Sequence, residues 1–319
     1  MSVARRSLVI GVSLAALAVA PAIALAAGEP FYVTLLTRIM IFAIAALSLD
    51  LILGYGGLVS FGHAAYLGIG AYAVGILAFH GITSGPLQFA VAILASAAAA
   101  AMIGAVSLRT SGVYFIMITL AFAQMLYFLA ESLNIYGGDD GLNITQPSNF
   151  GRLVDLGDPA TLYYVVLAVL LVLLLLTRQL INSRFGLLVQ GVKSNERRMA
   201  ALGFPTFRYK LAAFILSGTI CGLAGALFAN LTLFCSPAIM HWTRSGEIMM
   251  MVILGGMGSL FGPVLGAALY LLLETLLSGA TEHWQAILGP ILVLVVLFSR
   301  SGFFGMLTGE RTTRGRADG

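Results

Sequence analysis

The chain has 319 residues, of which 17 are Lys or Arg and 13 are Asp or Glu. Charged residues make up 9% and hydrophobic residues 60%, whereas a soluble domain carries about 25% charge. Such a chain cannot clothe a folded surface in polar groups, so a soluble globular protein is excluded and lipid must be the solvent for much of it. The net charge of +4 says less than the positions of the charges do.

A membrane-spanning helix needs about 20 apolar residues. Taken in chain order, long apolar runs fall at 7–27, 31–53, 63–81, 86–108, 112–133, 161–181, 210–234, 246–259, 262–279 and 284–299. They predict an all-α fold, a polytopic transmembrane helical bundle of about ten spans. The runs at 246–259 and 262–279 are short and divided by Gly and Pro. The first run reads in two ways. Arg5 and Arg6, an apolar stretch and then Ala24-Leu25-Ala26 fit a cleaved signal peptide, which would leave nine spans. The length of the run, greater than most signal cores, favours a retained span. Three parts follow: 1–30 as a span or signal-like segment, 31–300 as the transmembrane domain and 301–319 as a polar tail.

The connections orient the bundle. Segment 177–210 carries Arg178, Arg184, Lys193, Arg197, Arg198, Arg208 and Lys210 against one acid, Glu196, which marks it as cytoplasmic. Segment 134–160 carries Asp139, Asp140, Asp155 and Asp158 against Arg152 and belongs outside. With the first run retained, both termini are cytoplasmic.

Catalytic signatures are absent from the sequence. Neither lysine, Lys193 after Val192 nor Lys210 after Tyr209, sits in the Gly-Lys-Ser/Thr setting that holds nucleotide phosphates. The chain is therefore expected to be no enzyme and to have no ATP site or cofactor of its own. His63, His80, His241 and His283 are scattered, and no metal centre is expected. Cys221 and Cys235 are about 21 Å apart if helical, too far for a disulfide.

Within 182–209, Ser194 or Asn195 can cap a helix, and Gly203 with Pro205 ends one. The spacing predicts a helix of about two turns with Val192, Met199 and Leu202 on one face. A short charged helix between two spans suits docking into a groove of a cytoplasmic partner or lying on anionic lipid.

Two glycine-rich breaks interrupt apolar sequence: Gly54, Gly56, Gly57 and Gly62, then Gly255, Gly256 and Gly258. Broken segments point to a transporter's substrate path; tight interfacial turns are the other reading. Polar residues in spans are costly and functional candidates by default. Asp50 either lines a path or faces headgroups. Gln124 lines a path or bonds a neighbouring helix. Ser60, His63 and Thr119 complete the candidate set. Arg38 either snorkels to the interface or pairs with an acid. Gly218-xxx-Gly222 and Gly258-xxx-Gly262-xxx-Gly266 allow close helix packing.

Several motifs share one order. Gly54-Tyr-Gly-Gly-Leu-Val-Ser-Phe-Gly-His63 is followed by Gly68-Ile-Gly-Ala-Tyr72. Thr110-Ser-Gly-Val-Tyr-Phe115, Thr119-Leu-Ala-Phe-Ala-Gln124 and Gly137-Gly-Asp-Asp-Gly-Leu142 come next. Then come Arg184-Phe-Gly, Asn195-Glu196, Ala200-Ala-Leu-Gly203, Gly222-Leu-Ala-Gly-Ala-Leu-Phe228 and Leu254-Gly-Gly-Met-Gly-Ser259. Together, over about 31–300, the chain resembles branched-chain amino-acid ABC transporter permeases of the LivM/LivH type, closer to LivM.

The resemblance implies an inner-membrane permease subunit of an ABC importer for branched-chain or related amino acids; amides, urea and aromatic acids use similar permeases. It implies a second, LivH-like permease in a heterodimer, two cytoplasmic ATP-binding subunits that bind the ATP, and a periplasmic solute-binding protein. No nucleic acid is involved. It makes Ser194, Asn195, Glu196, Arg197, Met199, Ala200 and Gly203 the coupling loop. Here Arg197 and Arg198 follow Glu196, where the family usually has acidic or small residues. The residues alone leave a second possibility, an ion-coupled secondary transporter with Asp50 as its buried acid.

Overall fold

The computed structural model describes residues 11, 17, 19–21, 30–151, 155–281, 283–298 and 302–308. Most of the first apolar run lies outside them, so whether it is a span or a signal is not addressed by the fold. The helices are α1 (Pro30–Leu53), α2 (His63–Phe79), α3 (Gly85–Ser107), α4 (Val113–Ser132) and α5 (Pro159–Asn182). They continue as α6 (Arg184–Ser194), α7 (Glu196–Ala201), α8 (Thr206–Thr232), α9 (Trp242–Gly255), α10 (Gly262–Ala280), α11 (Trp284–Phe298) and α12 (Gly302–Thr308). Among the described residues, six helices are long and apolar enough to cross a membrane: α1, α3, α4, α5, α8 and α10. The chain is a helical, multi-pass membrane protein.

α1 is the centre of the bundle. From Ile39 to Leu53 its residues are buried, and it packs against α5, α8, α9 and α10. Its sequence is apolar all round between Arg38 and Asp50, as a helix enclosed by others must be. α8 supplies the second axis and packs on α1, α2 and α3. Glycines make its close approach to α2 and α3. A Cβ on Gly218 would strike Ala100, one on Gly222 would strike Ser96, and one on Gly225 would strike the Leu67 carbonyl. Gly70 of α2 lies against the Gly222 carbonyl in turn. Close backbone approach of this kind is how helices associate where lipid removes the hydrophobic drive. The small-residue spacing of α8 thus packs helices within this chain.

The acidic loop is fastened to the bundle by side chains inside the apolar spans. Ser148 N donates to Asn230 Oδ1 at 2.8 Å, and Ser148 Oγ donates to Gln88 Oε1. Gln88 Nε2 then donates to the Ile82 carbonyl at 2.8 Å. Nearby, β1 (Leu142–Asn143) pairs antiparallel with β2 (Phe234–Cys235). Asp158 caps α5, accepting from Thr161 Oγ1 at 2.8 Å and Thr161 N at 2.9 Å. The Thr161 hydroxyl and amide hold its carboxyl below the usual carboxylate range.

After β2 the chain turns back along α2. Cys235 lies against Gly75, Met240 against Gly68, and Trp242 against Phe61 with ring centroids 6.5 Å apart. α9 therefore starts part-way down the bundle. Its 14 residues reach about 21 Å, less than the roughly 30 Å hydrocarbon core. The run read at 246–259 is therefore shorter than the hydrocarbon core, and the segment 233–241 before it, a short strand and a 3₁₀ turn, runs beside α2. α2 and α11, with 17 and 15 residues, are likewise short.

Replacing Gly225 with Ala forces a Cβ into the Leu67 backbone, and overpacking costs about 1–3 kcal/mol. The melting temperature of the detergent-purified protein should fall by several degrees. Gly279, with nothing within 4 Å of a Cβ, should accept Ala without loss.

Candidate functional site

The two glycine breaks meet. α1 ends in a turn in which the Asp50 carbonyl accepts from Gly54 N at 2.7 Å and Tyr55 N at 3.1 Å. The chain then runs without helix to His63. The second break lies between α9 and α10. Asp50 is fully buried, and its Oδ1 accepts from Gly258 N at 2.8 Å. Gly258 has φ +74°, a left-handed conformation that glycine enters without strain. A Cβ on Gly54 would collide with both the Asp50 carboxylate and Gly258 N. The two breaks are thus packed backbone to backbone around one carboxylate. Oδ2 of Asp50 has no hydrogen-bond partner among the described residues.

A third element reaches the same place. Lys193, in the last turn of α6, donates from Nζ to the Gly54 carbonyl. Its stem lies beside Gly57. The structure folds Lys193 back into the first break. That it is one of only two lysines in the chain was the sole signal available.

Ser60, His63 and Thr119 gather on the other side of the first break. Ser60 Oγ accepts from Gly62 N at 3.2 Å. Thr119 Oγ1 accepts from Phe61 N at 3.3 Å and donates to the Ile116 carbonyl at 2.9 Å. His63 is fully buried, with Nε2 2.7 Å from Ser217 Oγ. Ser217 Oγ gives its proton to the Ser48 carbonyl, so Nε2 must be the donor and carry the ring proton. Ala64 N donates to Ser245 Oγ at 2.9 Å. The break is therefore laced to α1, α4, α8 and α9. Ser48, Ser217 and Ser245 were missed because serines on apolar helices carry no pattern. Gln124 is not drawn into this cluster. It sits half-buried on α4, its Oε1 without a hydrogen-bond partner among the described residues.

The second break is closed by a segment the sequence assigned to the tail. Gly255 abuts the Gly262 carbonyl, and Gly302 of α12 abuts Gly256. Phe304 is buried, its ring 6.3 Å from Phe261.

The basic loop differs from expectation. One helix with Val192, Met199 and Leu202 on a common face was predicted; two helices, α6 and α7, form instead. Asn195 is extended, at φ −159° and ψ 96°, and its Oδ1 caps α7 by accepting from Arg198 N at 2.9 Å. Asn favours such a cap over continuing a helix. Ser194 is the last residue of α6 and caps nothing. Val192 is consequently buried, while Leu202 is 66% exposed. Glu196 Oε1 holds Lys210 Nζ at 2.6 Å and accepts from Thr206 Oγ1 at 3.2 Å. Gly203, at φ +86°, ends the turn after α7. Arg197, Ala200, Leu187, Phe204 and Phe207 are exposed there, and Met199 is half-buried against Gly191.

Residues 31–297 match the family model described as "Branched-chain amino acid transport system / permease component". Curated relatives agree. The chain is 31% identical over 301 residues to the high-affinity branched-chain amino acid transport system permease protein LivM of Salmonella typhimurium, covering 86% of this chain and 70% of that one. It is 30% identical over 310 residues to the LivM protein of Escherichia coli, covering 88% and 73%. It is 24% identical over 273 residues to a probable LivM protein of Methanocaldococcus jannaschii, covering 75% and 79%. No solved structure matches. The apolar bundle, its glycine-broken helices and the family match over most of its length have one conclusion: the chain belongs to the branched-chain amino acid transport permease family.

Proposed function

We propose that the chain is the translocation subunit of an ATP-driven importer of branched-chain or related amino acids in a bacterial inner membrane. It crosses about ten times, with the first run retained, the basic loop and both termini in the cytoplasm and the acidic loop outside. The transmembrane unit is 31–300, and the chain itself binds no cofactor. It works beside a second, LivH-like permease, on two cytoplasmic ATP-binding subunits, and receives solute from a periplasmic binding protein.

The observation that carries this reading is the Lys193 link. An ATPase docks where α7 and its flanks present Leu187, Leu202, Phe204 and Phe207 beside Arg197 and Arg198. The Glu196–Lys210 pair keeps α7 attached to the start of α8. When ATP draws the ATPases together, α6 moves with them and carries Lys193. Lys193 holds the Gly54 carbonyl, and Asp50 joins that break to Gly258. A displacement of the loop then reaches both breaks at once. Breaks with two discrete packings turn a small shift into a change of access. Ser60, His63, Thr119 and Gln124 lie along the moving segment and α4.

The test uses the purified complex in proteoliposomes with labelled leucine. Lys193→Met should retain ATPase stimulation by the binding protein yet lose at least tenfold in uptake. Uptake and ATPase falling in proportion would refute transmission through Lys193.

Asp50 separates this reading from ion-coupled transport. Asp50→Asn keeps an oxygen for Gly258 N and should leave ATP-driven uptake near the wild-type rate. Asp50→Ala leaves that buried amide unpaired, a loss of about 1–3 kcal/mol, and should lower both melting temperature and uptake. Uptake that persists without ATPase subunits and vanishes in Asp50→Asn would instead assign the chain to ion-coupled transport.

A further inference from the structure

A cavity of about 550 Å³ opens between α1, α8, α9 and α10, away from the glycine breaks. Small-molecule sites span roughly 300–1,000 Å³. Arg38, on its wall, is about 12 Å along α1 from Pro30, so the cavity lies in the half of the bundle nearer the acidic loop. Leu35, Phe42, Leu67 and Phe228 form its apolar side.

The polar side carries both signs of charge. Arg38 Nη2 donates to Glu274 Oε1 at 3.2 Å, and the guanidinium lies 5.8 Å from the Phe42 ring centroid. Of the two readings of Arg38, the structure shows the pairing with an acid. Arg244, also on the wall, pairs with Glu247 at 2.7 Å. The second oxygen of Glu274, Oε2, is buried and has no hydrogen-bond partner among the described residues. A buried carboxylate oxygen left so is costly unless something fills the place.

We propose that this cavity is a resting site for the solute on its way through: an α-amino acid with an apolar side chain. Its ammonium meets Glu274, its carboxylate meets Arg38 and Arg244, and its side chain enters the apolar wall. This rests on the importer reading and names a place within it. A zwitterion matches a wall that is charged in both senses. A lipid phosphate would bring its negative charge against Glu274.

The experiment is equilibrium binding of tritiated L-leucine to the whole complex in nanodiscs, without binding protein and without ATP. Saturable binding is expected, weakened at least tenfold for N-acetyl-leucine, which lacks the ammonium, and for leucinamide, which lacks the carboxylate. Glu274→Gln should weaken leucine binding at least tenfold. Thr275→Phe, which fills the cavity and leaves the ion pair alone, should abolish it, with melting temperature reporting that each variant is folded. Equal binding of leucine and its two capped analogues overturns the proposal. So does a phospholipid seen by native mass spectrometry that is lost in Arg38→Gln. No leucine binding with ATP-driven uptake intact overturns the cavity alone. Leucine binding with no ATP-driven uptake supports the cavity and overturns the importer reading.

Discussion

One carboxylate oxygen joins the two glycine breaks of this bundle. Asp50 Oδ1 accepts the Gly258 amide, and the fit is close enough that Gly54 has no room for a side chain. Non-helical backbone at membrane depth survives only where protein satisfies it. Here each break helps satisfy the other, and Asp50 is the bridge. Lys193 then brings a third segment, from the basic loop, onto the same few atoms. The spans around this point can pack tightly because the expensive backbone has already been accommodated.

The rest of the bundle follows from that economy of polar groups. α8 approaches α2 and α3 through glycine, and meets α1 through Ser217 on the Ser48 carbonyl and Phe228 against Phe42. Among the described residues, most buried polar side chains are committed to a backbone group of another element or of their own helix. Gln88 and Asn230 hold the acidic loop; Ser217, Ser245 and Thr119 hold the first break. Apart from Asp50, the charges named inside the bundle fall in pairs. Arg38, Arg244 and Glu274 border the cavity, and Arg38 with Glu274 and Arg244 with Glu247 share their desolvation in mutual pairs.

The two ends of the bundle differ in kind. At the acidic-loop end, short strands and side-chain clamps fix the connections. At the basic-loop end, helices α6 and α7 stand out with apolar side chains exposed between arginines. An exposed apolar patch rimmed by charge marks a protein or membrane contact, and Lys193 links it to the first break.

Composition and run length determined the solvent and the elements. The apolar stretches at 31–53, 86–108, 112–133 and 161–181 became α1, α3, α4 and α5 nearly residue for residue, because burial in lipid is a local property of sequence. Asn195 and Gly203 were legible as cap and stop, since capping is local too. Tertiary structure alone decided what touches what. Nothing near Lys193 in sequence points to Gly54, and nothing near Arg38 points to Glu274; both pairings arise from elements far apart in the chain. Nor does the sequence show that α9 begins part-way down, for the segment 233–241 looks like an ordinary loop until α2 is seen beside it. The residues were chosen by local chemistry, but their partners were set by the path the backbone takes between helices.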